Sequence, residues 1–71
     1  MEKSIRLKLA KRIKELRKLH GYTQEGFAVK MGCDYKYLQK IESKSPPNVK
    51  LETLEKMSKA FNLDVSKLLD F

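Results

Sequence analysis

Cysteine and histidine each occur once, as Cys33 and His20, in a chain of 71 residues. A lone cysteine excludes an internal disulfide framework and a cysteine-rich zinc site, and it fits a reducing compartment. Without supporting motifs, that pair cannot build a nucleophilic site. The glycine-rich phosphate loop of nucleotide-binding enzymes is missing too. These absences predict a non-enzyme without cofactor or metal. No apolar run approaches the roughly 20 residues needed to span a bilayer. The opening stretch, Met1 to Arg6, is charged rather than signal-like. A soluble, cytoplasmic protein with no membrane role is expected. No segment alternates polar and apolar residues as a strand would, and no repeat or low-complexity tract is present.

What is there is apolar and basic. Hydrophobic residues make up 41% of the chain, enough for a compact core and too many for a disordered tail. The length predicts one domain, residues 1–71, of modest stability, since so short a chain buries only about 60% of its unfolded surface. Sixteen Lys and Arg against nine Asp and Glu leave a net charge of +7. That balance favours a polyanionic partner.

The apolar spacing predicts five short helices, at about 4–19, 24–31, 35–42, 51–61 and 65–70. Ile5, Leu9, Ile13 and Leu16, with Leu19 nearby, mark the first, Ser4 caps it and His20-Gly21 stops it. The lysines and Arg12 around that stripe read as a solvated face. Thr23 caps the second helix, whose inward face is Phe27, Ala28 and Met31. Asp34 caps the third, with Leu38 and Ile41 inward and Tyr35, Lys36, Gln39 and Lys40 outward. Paired prolines at Pro46 and Pro47 interrupt the chain. Leu51, Leu54, Met57, Ala60 and Phe61 form the fourth stripe. Asn62 suits a left-handed cap, and Asp64 opens a last helix burying Val65, Leu68 and Leu69.

A short helix, a tight Gly32-Cys33 turn and a second helix is the signature of the DNA-binding helix-turn-helix. In that arrangement the second helix lays its exposed residues in the major groove. From about Ile13 to Leu69 the sequence resembles the lambda-repressor/Cro, or Xre-type, helix-turn-helix family. The matching stretches are Ile13-Lys14-Glu15-Leu16-Arg17, Thr23-Gln24-Glu25-Gly26-Phe27-Ala28, Met31-Gly32, Tyr37-Leu38-Gln39-Lys40-Ile41-Glu42 and Leu51-Glu52-Thr53-Leu54. Their order and spacing carry the resemblance. It implies an all-α, compact five-helix lambda-repressor-like domain.

The resemblance also implies roles. Gln24 looks like the family's phosphate-contacting glutamine, and Thr23 either shares that role or is a plain cap. Tyr35, Lys36 and Lys40 fall where the family reads bases, with Gln39 a further candidate. Lysine can donate to guanine, and a tyrosine ring can pack on a thymine methyl. The alternative is that both lysines touch only phosphates and DNA shape supplies specificity. Tyr37 either braces the third helix or meets the backbone. Lys44, Ser45, Asn48 and Lys50 are either phosphate contacts or a solvated loop. Arg17 and Glu42 resemble the family's structural ion pair. Gly26 and Ser43-Lys44 depart from the family pattern, which favours a helix former at the first position and glycine after the third helix. Cys33 reads as packing.

By the same resemblance the protein is expected to be a repressor acting as a homodimer on a near-palindromic operator of double-stranded DNA. Val65, Leu68 and Phe71 are candidates for the dimer contact, with packing of Phe71 on its own first helix as the alternative. RNA polymerase is a further candidate partner. Two rival readings are an antitoxin that binds a toxin and its own operon, and a protein-interaction module on the same scaffold.

Overall fold

A computed structural model describes residues 2–71, with side chains from Ile5 onward. The elements are α1 (Glu2–Leu19), α2 (Gln24–Met31), α3 (Tyr35–Ile41), α4 (Leu51–Ala60) and α5 (Val65–Leu68). All are helical, and there is no strand among the described residues.

Helix α1 exceeds its expected start, so Ser4 lies inside the helix rather than at its cap. Its buried positions, Leu9, Ala10, Ile13, Leu16 and Arg17, recur at helical spacing and face the other elements. Ile5 (59% exposed) and Leu19 (79%) share that periodicity but overhang the core at either end.

Helices α1, α2 and α4 end alike. Gly21, Gly32 and Asn62 each adopt positive φ, at 74°, 70° and 59°. The residue after each donates back across the last turn: Tyr22 to the Arg17 carbonyl, Cys33 to Ala28 and Leu63 to Ser58, at 2.8–3.0 Å. This left-handed closure satisfies carbonyls that a helix end leaves open and turns the chain sharply. Three such turns fold five helices into a body 30 × 25 × 21 Å.

The core joins all five helices through Ile13, Phe27, Leu38, Ile41, Met57, Phe61 and Leu68, each essentially inaccessible. Phe27 and Phe61 stack with centroids 4.6 Å apart and ring planes 14° from parallel, tying α2 to the end of α4. His20, though exposed, packs its ring against Phe61 at 5.3 Å beside this stack.

Three expectations for the C-terminal half are corrected. Leu51 opens α4 but is 78% exposed, because it precedes the first turn that reaches the core. Helix α5 has only four residues, Val65–Leu68. That leaves Leu69 at its cap and partly exposed, while Leu68 points fully into the core. Helices α3 and α4 each stop one residue short of expectation, with Glu42 and Phe61 as caps.

Arg12, expected on a solvated face, is instead a tie between the chain's two ends. Its Nε donates to the Leu68 carbonyl at 3.2 Å and its Nη2 to the Lys67 carbonyl at 2.9 Å. A helix as short as α5 cannot satisfy its own final carbonyls. The guanidinium does so from α1.

Candidate nucleic-acid interface

Thr23 has the extended backbone of an N-cap, and its Oγ1 accepts from the Gly26 N–H at 3.0 Å. A Cβ on Gly26 would lie 3.1 Å from that oxygen. Glycine thus gives the cap room where a helix former is usual. The Thr23 hydroxyl keeps its own hydrogen, so capping leaves one donor facing outward.

Asp34 caps α3 in the same way, its Oδ1 accepting from the Lys36 N–H at 2.9 Å. Tyr35, Lys36, Gln39 and Lys40 lie on one exposed face of α3, opposite the buried Leu38 and Ile41. Among the described residues neither lysine forms an ion pair, since the carboxylate ion pair present is that of Glu42 with Arg17. Tyr37 is half-buried and packs on the core, as a brace for α3.

The base of α3 is fixed by a buried polar cluster. Arg17 Nε donates to Glu42 Oε2 at 2.9 Å and Nη2 to Oε1 at 3.1 Å, with side chains 10% and 2% exposed. Its Nη1 donates to the Tyr22 carbonyl at 2.9 Å. Gln24 Nε2 donates to the same Glu42 Oε1 at 3.2 Å. A half-satisfied buried charge would be costly, and here every partner is supplied. The pairing also neutralises Glu42 beneath Gln24, so a phosphate approaching the amide's second N–H would not meet a bare carboxylate.

After α3 the chain turns without glycine. Ser43 Oγ donates to the Lys40 carbonyl at 2.6 Å and accepts from the Ser45 N–H at 3.3 Å. That hydroxyl replaces the left-handed closure used elsewhere. It sends Lys44, Ser45, Asn48 and Lys50, all exposed, along the loop beside α3. Pro46 is buried beneath them.

Thr23 and Gln24, the α3 face and this loop are therefore surface neighbours of the Glu42 cluster, offering donors and cations. Val65 is half-buried against the core and Phe71 is 49% exposed. Leu68 presents no surface and cannot contribute to a dimer contact. Cys33 packs against the core in the α2–α3 turn; burial, and then the Asp34 charge, push its thiol pKa up. Such a thiol is less reactive than a free one. Sequence reasoning missed the tie from Gln24 to Glu42, which pattern could not reveal because a polar residue at a helix start reads as solvent-facing. It also missed Arg6, which the fold sets beside the Lys44–Pro47 loop.

Among the described residues no three His, Cys, Asp or Glu side chains converge as metal ligands. No described helix is long and apolar enough to cross a membrane.

Comparison with known proteins places these features. Residues 13–68 match the model of a helix-turn-helix family. The HTH-type transcriptional regulator SinR of Bacillus subtilis (strain 168) is 37% identical over 62 residues, which are 87% of this chain. The chain spans 56% of the length of that relative. The restriction-modification controller protein C.AhdI from Aeromonas hydrophila superposes with a TM-score of 0.81 at 30% identity, over 89% of this chain and 94% of that one. A hypothetical transcription factor, NHTF, from Neisseria superposes at 0.83 with 32% identity, over 92% and 74% of the two chains.

Proposed function

Because the chain belongs to the Xre/Cro-type helix-turn-helix family, we propose that it is a DNA-binding transcriptional regulator, not an enzyme, that inserts α3 into the major groove. One observation carries this reading: Tyr35, Lys36, Gln39 and Lys40 share an exposed face, with both lysines unpaired among the described residues. Lys36, Lys40 and Tyr35 contact bases, with Gln39 beside them. Thr23, Gln24, Lys44, Ser45, Asn48 and Lys50 contact phosphates and fix the register of α3 on the duplex. The Tyr37 hydroxyl reaches the backbone from a ring held on the core.

The protein acts as a homodimer on a near-palindromic operator and represses by occupying it. Support for the dimer comes from an open apolar groove of about 640 Å³ whose walls include Ile5, Leu9, Val49, Leu54, Leu69 and Phe71. Exposed apolar area of this kind marks an association face. A second copy seated there would hide Ile5, Leu69 and Phe71, with Val65 contributing from the adjoining helix. Pro47 and Asn48 also line the groove, so the partner would lie beside the phosphate-tracking loop.

Selection of bound duplexes from a random DNA pool at physiological salt tests this. An inverted repeat with half-sites about one helical turn apart is expected. No enrichment, with binding that vanishes as salt rises, would overturn sequence-specific regulation and point to a protein partner such as a toxin or RNA polymerase.

A further inference from the structure

Arg6 comes from the second turn of α1, remote in sequence from the α3–α4 loop, yet the fold sets the two side by side. Arg6, Leu7, Lys44, Ser45, Pro46 and Pro47 line one surface cleft of about 340 Å³. Among these described residues two side chains are cations, one is a hydroxyl and none is acidic. Buried Pro46 and half-buried Pro47 form a stiff wall with no N–H of their own. Arg6 is itself half-buried, so its stem packs on protein while its head stays at the surface. Its rotamer freedom is already reduced, which lowers the entropy cost of holding a ligand.

We infer that this cleft is a backbone-phosphate site in which Arg6 and Lys44 clamp one DNA phosphate, extending the footprint from α3 to α1. The inference rests on the DNA-binding reading above. The chemistry of the cleft favours a phosphate. A guanidinium offers paired N–H donors that match two oxygens of one phosphate, an ammonium adds a point charge, and the Ser45 hydroxyl adds a donor. The position agrees, because Lys44 and Ser45 also begin the loop proposed to follow the duplex backbone. Arg6 borders the apolar groove as well. It therefore lies where the phosphate track meets the proposed dimer face, and the clamped phosphate would sit toward the operator centre.

The test is a salt series of binding to a mixed-sequence duplex of about 30 base pairs, roughly three turns, for the wild-type chain, Arg6→Gln and Arg6→Lys. A phosphate contact is sequence-independent, so no operator is needed. Losing one contact should make the log–log salt slope shallower by about 0.9. The affinity deficit of Arg6→Gln should then be roughly 3.5-fold larger at 50 mM than at 200 mM salt. Arg6→Lys should keep the wild-type slope. All three proteins should melt alike, because Arg6 makes no buried pair among the described residues. Wild-type binding with an unchanged slope in Arg6→Gln would overturn the clamp and leave the DNA reading standing. A change confined to self-association would instead assign Arg6 to the dimer face and overturn the clamp. Failure of the wild-type chain to bind the duplex would overturn both.

Discussion

Arg12 on the first helix holds Leu68 at the end of the last, through Nε donation to its carbonyl at 3.2 Å and a companion bond to Lys67 at 2.9 Å. Leu68 in turn is wholly buried against residues of the other helices. The C-terminal segment is thus anchored twice, by an apolar side chain below and a guanidinium above. Arg12→Ala is expected to cost roughly 1–2 kcal/mol, since hydrogen bonds from a charged donor to partly exposed carbonyls contribute about that much. Melting should fall by several degrees, at roughly 4–8 °C per kcal/mol for a chain of this size. Amide exchange should rise first at residues 68–71. Arg12→Lys should not restore protection, because one ammonium cannot present two fixed N–H groups.

Glu42 accepts from Arg17 twice and from Gln24 once. Glu42→Ala should destabilise the fold by about 3–5 kcal/mol, mostly through the buried guanidinium left without its counter-ion. Glu42→Gln should still be destabilising while keeping most of the shape. Urea unfolding monitored by circular dichroism checks both, and an unchanged midpoint for Glu42→Ala would refute the account of the cluster.

Lys36 or Lys40 replaced by Ala should lower affinity for a selected operator by about 10- to 100-fold, the equivalent of roughly 1–3 kcal/mol for a base contact, and relax preference at the facing base pair. Lys44→Ala should weaken all duplexes about equally and reduce the salt dependence. Equal losses on operator and mixed-sequence DNA for all three would place every lysine on phosphates.

Cys33 gives a pH dependence of defined sign. Burial and Asp34 raise its thiol pKa in the fold, so the folded chain holds the proton more tightly than the unfolded one. Its contribution to stability is complete below the unfolded thiol's value, about 8.5. It is lost as pH rises from there through the folded value. Alkylation by iodoacetamide at pH 8 should be slower in the native protein than in urea. Cys33→Ala should remove that part of the alkaline loss of stability.

Much of the fold was legible because helix stops have local causes. Gly21, Gly32 and Asn62 announce left-handed closures, and Thr23 and Asp34 announce caps, so three helix ends and two helix starts fall close to their expected places. Periodicity alone misplaced Ile5, Leu19 and Leu51. A stripe specifies which side of a helix is apolar, not whether another element is present to cover it. Leu69, expected to be buried beside Leu68, was misplaced for a related reason: one turn of helix carries too little periodicity to decide which of two adjacent leucines turns inward. The outward face of α3 followed from its two buried residues. The links made by Arg12, Gln24 and Arg6 did not, because each joins parts of the chain that only the tertiary fold brings together.

The Glu42 carboxylate also has a mechanical meaning. It ties the start of α2, the end of α3 and the last turn of α1 to a single group, while the Phe27–Phe61 stack bolts α2 to α4. A reading head fastened on both flanks has no hinge of its own. Under the proposed function, any adaptation to a half-site spacing that departs from one helical turn must come from the groove between subunits or from bending of the duplex. The tolerance of the regulator for spacing variants would then be set by Ile5, Leu69 and Phe71, none of which touches a base.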